Sequence, residues 1–218
     1  MGHDASGEAR GNSVSLVNLV SGGLDSTLAA VLAKEEGVPL FPLFIDYGQR
    51  AAKHEWHACR KVHKLLGLPT PTRMDISGFG QVISSGLTSK KKNVKTDAFT
   101  PGRNLLFLLM GGAYAHQVGA SAVTIGLLAE RFSLFPDQRE LFVERAERAL
   151  ESALGKPIRV VTPLSQFSKA DVVKLAREKG VQGTYSCHAG TQVPCGRCIS
   201  CLEVRGVKMG RKHGRQNR

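Results

Sequence analysis

The chain has 218 residues, of which 42% are hydrophobic and 22% charged, enough apolar material for one α/β core with a small appendage. Its formal net charge is +12, and no apolar run approaches the roughly 20 residues that a membrane-spanning helix needs. Residues 1–13 are polar and lack an apolar signal core, so a disordered leader on a cytoplasmic protein is expected.

Residues 14–20 (VSLVNLV) are a mostly apolar run cut off by Ser-Gly-Gly, the pattern of a buried strand. Leu24, Leu28, Val31 and Leu32 then recur at helical spacing over 24–36, and Gly37 closes the helix. A second strand is expected in VPLFPLFIDYG (38–48) and a second helix over 51–66, ended by Gly67. PTRMDI (71–76) gives a third strand. Residues 77–100 are rich in Gly, Ser and Lys without periodicity, and a loop of that length in a compact domain is functional or mobile.

A buried helix is expected over 102–118 after Pro101-Gly102, and a fourth strand in ASAVTIGLL (120–128). Residues 135–154 pattern as an amphipathic helix, 158–164 as a fifth strand, and 168–180 as a capped helix ended by Gly180. Strand and helix alternate throughout, which predicts a doubly wound parallel five-stranded sheet with helices on both faces. Ligands in such sheets bind beyond the carboxyl ends of the strands. The organisation read from sequence is a nucleotide domain over 14–183, a metal-binding segment over 184–204 and a basic flexible tail over 205–218.

The first such edge carries VSGGLDST (20–27). Gly22 and Gly23 are expected to adopt backbone angles closed to other residues and so to aim N–H groups at a phosphate. Ser21, Ser26 and Thr27 add hydroxyl donors, and the following helix N-terminus adds partial positive charge. Asp25 suits Mg2+, which takes one or two carboxylates beside phosphate oxygens. The Gly-Lys-Ser/Thr of a P-loop is absent, as is the dinucleotide fingerprint.

Four of the five cysteines, Cys187, Cys195, Cys198 and Cys201, fall within fifteen residues. Two overlapping C-x2-C units plus one distant cysteine can close a tetrahedral thiolate shell for a structural Zn2+. An iron–sulfur cluster uses the same ligands, disulfides fit a leaderless chain poorly, and His188 is a spare ligand.

Ser-Gly-Gly-Leu-Asp-Ser resembles the PP-loop of the N-type ATP pyrophosphatases. Together with FIDYGQR (44–50), TPGRNLLFL (100–108), SKADVVKLA (168–176) and the four cysteines, it resembles the 7-cyano-7-deazaguanine synthase (QueC) family over roughly 15–205. The resemblance implies an adenine nucleotide alpha hydrolase-like fold and a zinc-stapled ligase using ATP and Mg2+. Its substrates would be 7-carboxy-7-deazaguanine and ammonium, and it would often be a homodimer. The carboxylate is adenylated, ammonia gives the amide, and a second adenylation leads to the nitrile. It implies ATP contacts at Val20, Ser21, Gly22, Gly23, Leu24, Asp25, Ser26, Thr27, Leu28, Ala29, Ala30, Ile45, Asp46 and Gly126. Catalytic roles fall to Ser21, Asp25, Ser26, Arg103 and Lys169.

The stretch after the fourth strand departs from the family pattern: where Asp-Tyr is common, LLAERFSLFPD (127–137) has Arg131-Phe132. Arg131, Phe132, Asp137 and Tyr185 are therefore the expected substrate residues. Two other readings stand beside this one. One is a relative that joins the activated acid to a different amine, on a protein or nucleic acid. The other is a non-enzymatic nucleic-acid binder using the basic tail.

Overall fold

The computed structural model describes residues 14–213, with side chains through 207. The expected leader and the end of the basic tail lie outside the described residues. Five strands form one parallel sheet: β1 (Leu16–Leu19), β2 (Leu40–Asp46), β3 (Thr72–Asp75), β4 (Ala122–Thr124) and β5 (Arg159–Val161), in the order β3-β2-β1-β4-β5. The helices are α1 (Leu24–Glu35), α2 (Ala52–Leu65), α3 (Gly78–Val82), α4 (Arg103–Val118), α5 (Glu140–Leu154), α6 (Lys169–Glu178) and α7 (Ile199–His213).

Both faces of the sheet's centre are covered, so β1 and β2 read as nearly continuous apolar runs rather than alternating ones, while the edge strand β3 is largely exposed. Val17, Leu19, Leu43, Val123 and Val160 pack against Leu108 and Ala115 of α4 and Ala146 and Leu150 of α5. Leu16, Leu40 and Ala122 face the other way, onto Leu28 and Val31 of α1 and Val172 and Ala176 of α6. Helix α4 lies unusually close to its neighbours. A Cβ on Gly111 would stand 2.8 Å from Val123 Cγ1, and one on Gly112 would stand 3.0 Å from Leu150 Cδ2.

The expected strands and helices are present, with three differences. Residues 135–139 are not part of α5: Pro136–Gln138 form a 3-10 turn, and the α-helix begins at Glu140. The 77–100 stretch contains α3 and is anchored. Arg50 ties it to the β2–α2 turn, with its N–H on the Leu87 carbonyl (2.8 Å) and its Nη1 on the Gly86 carbonyl (3.1 Å). Val94 is buried against Cys187 and Cys198, while Lys90, Lys91, Lys92 and Lys95 are exposed. Finally, residues 205–213 are not a flexible tail but the continuation of α7, which starts beside the last cysteines and packs on α6.

Candidate active site

The turn from β1 into α1 is shaped by one glycine rather than two. Gly22 has φ +74°, and a Cβ there would collide with the Glu55 carbonyl and stand 2.7 Å from the Cys59 backbone nitrogen. Gly23, the N-cap of α1, has an ordinary extended backbone (φ −82°, ψ 171°). Helix α2 therefore presses on this turn, and only a residue without a side chain fits the left-handed position. The loop hydroxyls bond its own backbone. Ser26 Oγ accepts from the Ser21 N–H (3.1 Å), Ser21 Oγ accepts from the Gly23 N–H (3.2 Å), and Thr27 Oγ1 donates to the Gly23 carbonyl (2.7 Å).

Beyond the carboxyl ends of the strands lies a cleft with two adjoining lobes of about 260 and 230 Å3. The first is floored by Leu19, Leu43, Ile45, Phe107 and Ile125, an apolar slot suited to a flat base. The second is polar, with Asp25, Lys169, Glu203, Tyr185 and Ser186. Ser21, Asp25, Ser26, Glu55, Arg103 and Gly126 line both, so the glycine-rich loop sits at the junction.

Five helices, α1, α2, α4, α6 and α7, deliver the charged groups. Lys169 opens α6, placed by a capping box in which Ser168 Oγ accepts from the Asp171 N–H. Its Nζ donates to both Asp25 oxygens, at 2.7 and 2.8 Å. Glu203 of α7 stands 3.9 Å from the same Nζ, and burial raises its carboxyl above the usual range. Arg103 opens α4. Its guanidinium lies over the Tyr47 and Phe107 rings at 5.9 and 6.0 Å, Nη1 reaches Tyr47 Oη at 3.4 Å, and Nε has no partner. An unpartnered buried donor at a cleft wall is a ready contact for an anionic group. On α2, Glu55 Oε2 accepts from Gln49 Nε2 at 3.0 Å, and burial pushes its carboxyl up to about 7.

The four thiols form a second centre. The sulfurs of Cys187, Cys195, Cys198 and Cys201 all lie within 4.8 Å of one another. Backbone N–H groups point at three of them: Cys195 N–H to Cys187 Sγ (3.3 Å), Cys198 N–H to Cys195 Sγ (3.4 Å) and Cys201 N–H to Cys198 Sγ (3.4 Å). Burial and the neighbouring Cys198 push the Cys201 thiol up to about 12, a repulsion that a divalent cation would relieve. The set fits one tetrahedral metal ion. His188 is not part of it. Its ring turns into the cleft, with Nδ1 buried and unpartnered, and burial with the nearby Arg103 and Lys169 charges pushes it down to about 4.

The structure thus brings Val20, Ser21, Gly23, Leu24, Asp25, Ser26, Ile45, Arg103, Gly126, Phe132, Lys169 and Tyr185 to the cleft. Other expected residues lie elsewhere. Leu28, Ala29 and Ala30 are core residues of α1. Asp46 is spent within the fold, accepting from Arg73 Nη2 (2.6 Å) and the Gly48 N–H (3.1 Å). Arg131 folds over the Phe132 ring at 5.0 Å and lines neither lobe. Asp137 uses its carbonyl to accept from Asn104 Nδ2 (2.9 Å), and Gln138 takes the cleft wall instead. Glu55, Gln138 and Glu203 were missed. For Glu55 the sequence carries no local signal: it reads as an ordinary acidic residue in the first turn of a helix.

Loop, sheet order and cleft define an ATP-using enzyme of the PP-loop class. The chain belongs to the QueC family, described as queuosine biosynthesis protein QueC, whose profile matches residues 15–208. It is 36% identical over 205 residues to the 7-cyano-7-deazaguanine synthase of Campylobacter curvus, covering 88% of this chain and 92% of that one. It is likewise 36% identical over 208 residues to the 7-cyano-7-deazaguanine synthase of Acetivibrio thermocellus, with 88% and 92% covered. Among solved structures it resembles the U34-tRNA thiolase NcsA of Methanococcus maripaludis with its [4Fe-4S] cluster (TM-score 0.53, 15% identity, 92% of this chain and 66% of that one). It also resembles the NMN synthetase of Francisella tularensis (TM-score 0.50, 17% identity, 94% and 86%). These two share the fold. Membership of an enzyme family removes the reading as a non-enzymatic binder, and no helix among the described residues is long and apolar enough to cross a membrane.

Proposed function

We propose that this chain converts 7-carboxy-7-deazaguanine and ammonium to 7-cyano-7-deazaguanine in the cytoplasm, adenylating first the carboxylate and then the amide, with release of AMP and pyrophosphate. The observation that carries this reading is the two-lobed cleft joined at the glycine-rich loop. One lobe offers a slot for a flat base, the other offers polar space, and cations flank the junction. It agrees with the names of the relatives.

A carboxylate is a poor electrophile, and transfer of AMP gives its carbon a leaving group. Ser21, Ser26 and the α1 N-terminus would receive phosphate oxygens. Lys169 and Arg103 would stabilise charge developing on the transferred group. Asp25 would hold the Mg2+ that accompanies ATP, an ion that neutralises and orients the phosphates. This requires Lys169 to exchange its carboxylate partner for phosphate. Zn2+ on the four cysteines would be structural. The resemblance also implies a homodimer, which light scattering of the purified chain tests.

A second reading, transfer of the activated acid to another amine, is favoured by Arg131-Phe132 in the 127–137 stretch: Arg131 lines neither lobe and Phe132 is exposed at the cleft wall. Mass spectrometry of products from ATP, Mg2+, 7-carboxy-7-deazaguanine and ammonium separates the two. Nitrile is the expected product. Acyl-adenylate that never becomes amide would sink the proposal and favour the second reading.

A further inference from the structure

Asp25, Glu55, Arg103 and His188 are the titratable side chains that line both lobes of the cleft. In the reaction proposed above each flanking lobe would take one end of the acyl-adenylate, which puts the reacting carbon at that junction. Of the two carboxylates there, Asp25 accepts from Lys169 Nζ at 2.7 and 2.8 Å, and in that reaction it would pass from that cation to Mg2+, so it stays engaged throughout. Glu55 touches no cation among the described residues, and its one hydrogen bond comes from Gln49. That bond is directional. Gln49 Oε1 is committed to the Tyr47 N–H (2.9 Å), so Nε2 is left to face Glu55 Oε2. The amide thereby holds one carboxylate oxygen and leaves the other open to the cleft.

We infer that Glu55 is the general base that takes a proton from the incoming ammonium ion as it attacks the acyl-adenylate. The inference rests on the reaction proposed above. Ammonium is almost wholly protonated at neutral pH and has no lone pair with which to attack. A proton passes from its nitrogen to the free Glu55 oxygen, and the lone pair so released forms the C–N bond. The C–O bond to AMP breaks with its electron pair. The second proton lost by the nitrogen leaves on the departing phosphate, and Glu55 returns its own to water.

A base suits this task when its affinity for protons sits near the working pH. Burial provides that here, opposed in part by the Gln49 hydrogen bond and the Arg103 charge. The other groups around the carboxyl are Asp46 and Tyr47 at the end of β2, Cys59 on its own helix, Asp25 at the start of α1, and Tyr185 and His188 of the metal segment.

The test compares wild type with Glu55→Gln, using ammonium and hydroxylamine as alternative nucleophiles. Hydroxylamine is largely unprotonated at neutral pH and needs no base before attack. In the variant, the ratio of amide formation from ammonium to acid-dependent pyrophosphate exchange should fall about a hundredfold, while hydroxamate formation falls far less. Wild-type amide formation should rise with pH through about 7 as Glu55 ionises, then follow free ammonia. The variant should follow free ammonia alone. Unchanged metal content and melting temperature show that the variant is folded. A Glu55→Gln enzyme that uses ammonium as well as wild type, or loses both nucleophiles equally, overturns the inference. A wild-type enzyme that turns over neither nucleophile overturns the proposed reaction, and the inference with it.

Discussion

The backbone N–H of Tyr185 donates to the carbonyl of Gly22 at 2.9 Å. This bond ties the segment that carries the four cysteines to the glycine-rich loop that defines the enzyme class. It is supported on both sides. The Tyr185 ring stacks on His54 at 5.2 Å, and Gly190 (φ +68°) sits so tightly on the Arg50 carbonyl that no Cβ fits between them. The metal segment then supplies His188, Ser200 and Glu203 to the cleft wall.

Removing the metal should therefore disable a site that the metal does not touch. Cys198→Ser, at a fully buried position, should lower bound metal well below one equivalent. Structural zinc is worth on the order of 10 kcal/mol in small domains, so loss of cleft order should follow. Acid-dependent pyrophosphate exchange should fall with metal content across a chelator titration. Full exchange in metal-free protein would show the two centres to be independent.

Gly22→Ala and Gly23→Ala separate conformation from proximity. The first forces a side chain into a left-handed position against the Glu55 carbonyl, and should cost about 2 kcal/mol or more. The second is placed at an ordinary extended position, where its nearest neighbour is Ser21 Oγ at 3.1 Å. It should change thermal stability by much less. Melting curves of the two variants, expected to differ by about 5 °C, check this.

Lys169→Met should leave the fold and the metal in place and lower kcat/KM for ATP by about a hundredfold, the scale of one lost charge-stabilising contact. Asp25→Ala should abolish pyrophosphate release, again at unchanged metal content. Inductively coupled plasma analysis beside a pyrophosphate assay distinguishes these effects from unfolding.

The contribution of His63 to stability should fall as the solution is made acidic through the ordinary histidine range. His63 is buried against the Pro69 carbonyl, with Nδ1 2.7 Å from it, and burial holds its ring below its usual affinity for protons. The unfolded chain therefore takes up protons at a higher pH than the folded one. This contribution is complete above the unfolded value and is lost below it. From pH 7.5 to 5 the urea midpoint of wild type should fall relative to that of His63→Leu, since Glu55 and His188 titrate alike in both proteins and only wild type carries the His63 contribution.

Much of the fold could be read from local signals. The central strands β1, β2 and β4 lie in apolar runs ended by glycine, serine or an acidic residue, and each long helix has a glycine within two residues of its end, so element order and sheet class follow. The cysteine cluster was legible because its spacing is a chemical constraint in itself. Other features depended on distant packing. Nothing near Asp46 says that Arg73 of a neighbouring strand claims it, and nothing near Glu55 says that α2 aims it at a cleft built from β1, β2 and α4. Helix α7 was hidden by composition: Gly206 and the lysines and arginines around it suggest a solvated tail, while Leu202 and Val204 are only partly buried.

The bond between Gly22 and Tyr185 joins the first turn of the domain to almost its last. On the ribosome, the phosphate-binding turn would emerge while most of the sheet remained unmade. The segment that braces it, and that supplies His188 and Glu203 to the cleft, would follow some 160 residues later. A nascent chain would therefore own its glycine-rich turn long before it owned a complete cleft, and on the function proposed above its consumption of ATP would wait on synthesis of the cysteine-bearing segment.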